Sequence, residues 1–401
     1  MIIFKKINLI INTLLNAKFI FKSPTYKDIV VFDGESSGQL KHVLKDFEYN
    51  ILETRFHRIK KLFITKKIIF KIIRNYNGNL LSSYLLTIID QIKPKIIFTY
   101  IDNSYRFSQF SKLRNKKYKF IALQNGARYE HKILNELIKK KIIKKKLEIQ
   151  KFHIPHFLCF GKYEIDDYRK NYQIVKNFTK VGSLKLSNYL LSKKNIKNNN
   201  LRNNDILLIS DVNCWDLILD KLNYPIEKGV ITLIKFTIRF AIQNRLKIKI
   251  AARSQKNHFY NENIFYKKNL TNEEYRFLLK NIFFRSKNYK TYEIMQKSKI
   301  TIGTMSTMLR ENLYMEGKTL ACNFTKTNIF DFPIKGICSL NDNDFDKFEK
   351  RAKKIISISK NHYMNLINKK PAYLVFRHQY KNTIDLVKMK LSYHLGLQEN
   401  D

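Results

Sequence analysis

"KITIGTMSTMLRENLYMEGKTLACN" occupies Lys299–Asn323. Its left end alternates like a β-strand, and "KTLACN" at its right end reads as a second strand. Between them, Gly303, Thr304, Ser306 and Thr307 lead into a helix-like stretch that stops at Gly317. Strand, hydroxyl-rich turn, helix and strand make one βαβ unit, whose two strands run parallel. If Thr307 caps the helix, a capping box needs Glu or Gln at position 310, which is Arg310. Glu311 is therefore unexplained as a capping partner, and it lies four residues after Thr307 on the same face. The hydroxyls and the first-turn amides form an anion site strengthened by the helix dipole. Glu311 could then accept two hydroxyls of a ribose or a sugar. The plainer readings are ordinary capping and a solvated charge.

The same rhythm extends outward. "KDIVVFDG" (28–34), "YNILETR" (49–55), "KIIFTYIDNS" (95–104), "KFIALQNG" (119–126) and "HFLCFG" (156–161) are apolar runs with polar or glycine ends, interleaved with helical stretches. After an Asn- and Lys-rich segment the pattern restarts with "DILLISDVN" (205–213), "LKIKIAAR" (246–253), "IFFRSK" (282–287), "KITIGT" (299–304) and "KTLACNF" (318–324). "TNEEYRFLLKNI" (271–282) carries Thr271 and, three residues on, Glu274, a capping box. Alternating strands and helices predict two α/β units, each a parallel sheet covered on both faces. The expected division is an amphipathic N-terminal helix over 1–27, a first domain over 28–190, a linker over 191–204, a second domain over 205–340 and closing helices over 341–401.

The chain has 401 residues and a net charge of +43. Such a charge invites a polyanion, but the lysines are spread along the whole chain, as AT-rich codon usage alone would spread them. The four cysteines, Cys159, Cys214, Cys322 and Cys338, are far apart and read as free thiols of a reducing compartment. No apolar run approaches the roughly 18 residues of a membrane span. Residues 1–27 put Ile3, Ile7, Ile10, Ile11, Leu14 and Leu15 on one helical stripe beside lysines. That helix either lies on an anionic membrane surface or packs on its own domain. "HIPH" (153–156) lacks a third ligand nearby and reads as structural rather than as zinc-binding, and Trp215 reads as core.

Ligands of such sheets bind at the carboxyl ends of the strands. Those ends are "DGESSG" (33–38), "IDNSYRF" (101–107), "QNGARYE" (124–130), "GKYE" (161–164), "SDVNCWD" (210–216), "ARSQKN" (252–257), "RSKNYKTYE" (285–293) and "GTMSTMLRE" (303–311). Carboxylates, amides, hydroxyls and a few arginines suit a sugar nucleotide.

"YEIMQKSKITIGTMSTMLRENLYMEGKTLACN" (292–323) resembles the donor-binding segment of GT-B glycosyltransferases. "TYIDNSYRFSQF" (99–110), "FIALQNGARYE" (120–130), "FLCFGKYEIDDY" (157–168) and "KVGSLKLSNYL" (180–190) are similar to bacterial surface carbohydrate biosynthesis proteins related to capsule and CDP-glycerol polymer enzymes. The resemblance spans roughly 28–340 and is most specific over 301–317. It implies an α/β, GT-B-like fold, two Rossmann-like parallel-sheet domains facing a central cleft. It also implies transfer of a sugar, or a related phosphorylated unit, from a nucleotide-sugar donor to a glycan or lipid-linked acceptor of surface polysaccharide. No cofactor and no metal is implied. The implied donor-binding residues are Arg253, Thr304, Ser306, Thr307 and Glu311, with Lys256 and Arg285 behind them. Glu35, with Asp33, takes the base position by its similarity to the loop of Kdo transferases. Asp102, Asn103, Gln124, Asn125, Gly126 and Arg128 would hold the acceptor or position the base, with Glu130 next in line. The implied location is cytoplasmic or on the inner face of the plasma membrane. Two alternatives stay open: a basic nucleic-acid-binding protein, although no specific nucleic-acid module is visible, and an inactive scaffold of the same pathway.

Overall fold

The computed structural model describes residues 11–76, 78–139, 152–171, 173–193, 203–212, 226–284, 289–367 and 371–397. Two six-stranded parallel sheets organise them. The strands, in chain order, are β1 (Lys18–Ile20), β2 (Ile29–Phe32), β3 (Tyr49–Leu52), β4 (Lys61–Phe63), β5 (Ile96–Thr99), β6 (Lys119–Leu123), β7 (His153–Cys159) and β8 (Ile174–Lys180), then β9 (Asn204–Ile209), β10 (Ile248–Ala251), β11 (Ile282–Phe283), β12 (Ser298–Gly303), β13 (Thr319–Cys322) and β14 (Ser339–Leu340). The first sheet has the order β3-β2-β5-β6-β7-β8 and the second β11-β10-β9-β12-β13-β14. β1 and β4 pair separately as a small parallel ribbon.

Central strands such as β2 and β5 are almost wholly apolar because both their faces are covered. Along β2 and β5, Ile29, Val31, Ile96 and Phe98 point to one core, while Phe32 and Ile97 point to the other. The first core is closed by Ile384, Val387 and Leu391 of the last helix, Thr383–Leu395. The chain thus returns from the second domain to cover the first sheet. Two glycines make that return possible. A Cβ on Gly161 would lie 2.6 Å from the Tyr373 carbonyl oxygen, and one on Gly182, whose φ is +86°, would lie 2.7 Å from that of Phe376.

Several expectations change. Of the helix expected over 1–27, residues 1–10 lie outside the described residues; 11–16 are helical, but 18–20 form β1. Pairing with Lys61–Phe63 gives that backbone a parallel partner that a surface helix would not have. β4 and β8 were unexpected: β4 is only three residues long, and β8 is an edge strand whose residues are largely exposed. The "HIPH" histidines lie within β7, where Pro155 falls at a gap in the pairing with β8, a place that needs no donor. The Thr271–Glu274 capping box is present in both its hydrogen bonds. Cys159, Cys322 and Cys338 are buried free thiols, and burial pushes Cys338 up to about 12. Cys214, Trp215 and Arg285 lie outside the described residues.

Candidate functional site

In the first sheet the chain goes from β2 outward to β3 and then crosses to β5 on the other side of β2. Such a reversal opens a crevice at the carboxyl ends, because the two connections leave in opposite directions. The second sheet does the same, with β9 flanked by β10 and β12. Each crevice receives one of the sequence motifs.

At the first crevice, Asp33 follows β2 with φ +72° and is buried. Its Oδ1 accepts the Glu35 amide at 3.1 Å, an Asx turn that folds the loop back. Arg55 donates from Nε to Asp33 Oδ2 at 3.1 Å and also pairs with Glu35. One guanidinium thus holds both carboxylates expected to act as base. Glu53 closes the other side. A Cβ at Gly34 would collide with its Oε1, and burial raises its carboxyl above the usual range. Beside this cluster lies a cavity of about 550 Å³ whose lining includes Asp33, Arg55, Asn103, Arg106 and Gln109. Arg106 donates to the Thr54 carbonyl at 2.6 Å, and desolvation lowers its pKa.

Asp102 is buried at the end of β5. It accepts two bonds from Arg128, at 2.9 and 2.5 Å, and the Asn125 amide at 3.1 Å. Arg128 also reaches the Asn125 side chain. Asp102, Asn125 and Arg128 therefore form one braced unit, while Asn103 reaches the cavity. Gln124 is fully buried and spends its amide on the Gly126 carbonyl and the Phe160 N–H, so it ties β6 to β7 instead of facing a substrate. The Glu130 side chain lies outside those described.

At the second crevice the helix is Thr307–Tyr314, and its cap is Ser306, not Thr307: Ser306 Oγ accepts the Met308 N–H at 3.3 Å. The Thr307 hydroxyl instead accepts the Ala127 N–H of the first domain at 2.7 Å. The turn amides are also occupied. Asp211, after β9, accepts the Thr304 and Met305 amides at 3.3 and 3.1 Å, and burial pushes its carboxyl up. The anion site expected at the mouth of this helix thus already holds a carboxylate of the chain. Glu311 is not a surface charge. It is buried, with Ser183 and Tyr292 donating to its two oxygens, at 2.5 and 2.8 Å. Each of its oxygens is thus already met by a donor of the chain itself. Arg253 is exposed beyond β10, and its charge reaches Asp211. Its loop is fixed by Glu262, fully buried, which accepts the Arg253 and Ser254 amides at 3.2 and 2.9 Å. Lys256 is exposed nearby in the same loop.

The two crevices meet. Besides Thr307–Ala127 and Glu311–Ser183, Tyr129 donates to the Met305 carbonyl at 3.0 Å, and Arg310 pairs with Glu164 at 2.5 Å in a buried interdomain ion pair. Arg310 also lies over the Tyr163 ring. Sequence reasoning did not single out Arg55, Arg106, Asp211, Glu262 or this pair. Asp211, Glu164 and Arg310 do stand at strand ends or in the helix that follows, which was the available signal.

No known protein-family model matches this sequence, and no curated protein is similar to it in sequence. Solved structures are similar in fold. That of S. aureus MnaA with UDP has a TM-score of 0.55 at 12% identity, over 93% of this chain and 98% of that chain. UDP-GlcNAc 2-epimerase from Neisseria meningitidis bound to UDP-GlcNAc gives 0.52 at 10%, over 92% and 99%. The α,α-trehalose 6-phosphate synthase from Burkholderia multivorans gives 0.52 at 8%, over 93% and 97%. The likeness is one of fold: α/β and GT-B-like, with two Rossmann-like parallel sheets.

Proposed function

We propose that this protein transfers a sugar, or a related phosphorylated unit, from a nucleotide-activated donor to a glycan or lipid-linked acceptor, without a metal. One observation carries the reading: the loops at the carboxyl ends of both sheets converge on a single seam, joined by Thr307–Ala127, Tyr129–Met305 and Arg310–Glu164. Two neighbours of this fold are solved with UDP or UDP-GlcNAc. The donor occupies the second-domain side. With the 304–305 amides taken by Asp211, its diphosphate is met by Arg253 and the Ser306 and Thr307 hydroxyls, which stabilise the leaving group. The acceptor occupies the first-domain cavity. In an inverting transfer Glu35, held with Asp33 by Arg55, takes the proton of the attacking hydroxyl as the bond to the sugar forms and the nucleoside diphosphate leaves. Asn103 and the Asp102–Arg128 unit shape the acceptor side.

A melting-temperature screen against UDP, GDP, CMP and CDP tests this. A ligand that binds only the folded state raises the melting point. A saturable shift with one nucleotide is expected, and none with any of the four contradicts the donor site.

A further inference from the structure

The strongest feature outside the seam is an apolar and basic face on the first domain. The helix Lys66–Arg74 follows β4, and its residues Lys66, Ile69, Phe70 and Ile73 share one face at helical spacing. That face is turned to solvent, with Phe70 68% and Ile73 69% exposed. Only Ile68 of this helix is buried. Lys67 and Arg74 flank the apolar stripe. The parallel ribbon adds to it. Ile20 is in register with Phe63, and the Ile64 amide bonds the Ile20 carbonyl at 2.9 Å. Phe21, 79% exposed, therefore leaves β1 at the end where this helix begins, followed by exposed Lys22. Neither residues 1–27 nor residues 54–89 contain an aspartate or a glutamate, in a chain that has 33. The side-chain charge these two segments contribute is thus one-signed.

We infer that this face, the helix Lys66–Arg74 with Phe21 and Lys22, docks the protein on an anionic lipid surface. Large apolar side chains ringed by lysine and arginine are the chemistry of interfacial helices: the apolar stripe enters the boundary between headgroups and acyl chains while the cations meet lipid phosphates. A folded monomer rarely leaves such a stripe open without a partner. The position also suits a lipid-linked acceptor. The chain runs from this helix through 75–79 into the helix Leu80–Ile92, and Asn79 and Ser82 line the cavity beside Asp33. The docking face therefore lies one connection away from the acceptor side. Docking itself is independent of the donor site, so a nucleotide-induced melting shift survives its failure.

The test is flotation of the full chain with phosphatidylcholine vesicles with and without phosphatidylglycerol. Binding is expected with phosphatidylglycerol and weak without it. F70S/I73S should bind about tenfold or more weaker, and K66Q/K67Q should lose about fivefold per charge. All these residues are exposed, so circular dichroism and melting should stay as in the wild type. K350Q/K354Q, which removes two exposed lysines on the far helix Phe345–Ser357, should change little. The inference is overturned by absent binding to anionic vesicles, by unchanged binding of F70S/I73S, or by equal loss in K350Q/K354Q. It is also overturned by a concentration-dependent dimer that F70S/I73S abolishes while vesicles are ignored, which would make the face a contact between copies.

Discussion

Replacing Arg310 by methionine should open the seam. The Arg310 side chain is 1% exposed and its partner Glu164 is 4% exposed, so neither charge is solvated by water. The two belong to different domains, and the Arg310 guanidinium lies 4.8 Å from the centre of the Tyr163 ring. In R310M the carboxylate of Glu164 stays buried without its cation, a change that costs about 3–5 kcal/mol. At roughly 2 °C per kcal/mol for a chain at the large end of the measured range, the melting point should fall by about 6–10 °C. The companion variant E164L/R310M removes both charges and replaces them with apolar volume, so it should recover most of the loss. The assay is thermal and urea unfolding of wild type, both single variants and the pair, read as a double-mutant cycle. Because the pair bridges two domains, R310M should also broaden or split the transition. The reasoning fails if R310M is within about 0.5 kcal/mol of wild type, or if the double variant loses the sum of the two single losses.

Three further outcomes follow from the packing. Asp211→Asn keeps an oxygen for the Thr304 and Met305 amides but carries no charge. Burial holds the Asp211 carboxyl above its ordinary value, so the folded state keeps its proton more tightly than the unfolded chain, and wild-type stability drops as pH rises through that interval. The variant's melting point should therefore gain on the wild type from about pH 4 to pH 7 and match it more closely in acid; a constant gap across that range would refute the assignment. Gly229→Ala should cost about 1–3 kcal/mol in urea unfolding, because the new methyl would lie 2.7 Å from the Phe324 carbonyl carbon; an unchanged midpoint would mean the helix Ile226–Gln243 sits farther from that strand end. Truncation after Tyr380 removes Ile384, Val387 and Leu391 from the first core, about 1.5–3 kcal/mol each, and should leave the first domain unfolded by circular dichroism while the second keeps its signal.

The sequence showed the strands that are covered on both faces. β2, β5, β6 and β13 are short, mostly apolar runs with covered faces, β9 is apolar after its first two residues, and β12 alternates. It was silent on β1, β4 and β8, whose lysines and half-exposed residues read as helix or loop until a neighbouring strand pairs with them. Local chemistry was also legible: the Thr271–Glu274 box is a matter of three residues. The polar ends of the strands were found as a class, but their pairings were not. Glu311 is taken by Ser183, 128 residues away, and Arg310 by Glu164, 146 residues away. Spacing along a chain does not report such pairs, because they form only when two separate sheets have already folded and met. The cap shifted by one residue, from Thr307 to Ser306, for the same reason: the Thr307 hydroxyl has a partner in the other domain.

The central claim is a donor site on the second-domain side of the seam, and calorimetric titration of the nucleotide that shifts the melting point tests it most directly. One site per chain is expected in the wild type. In Arg253→Ala, loss of a charged hydrogen-bond donor should weaken binding by about ten- to a hundredfold, with the unfolding profile unchanged. Binding that is equally tight in Arg253→Ala, or absent from the wild type, would contradict it.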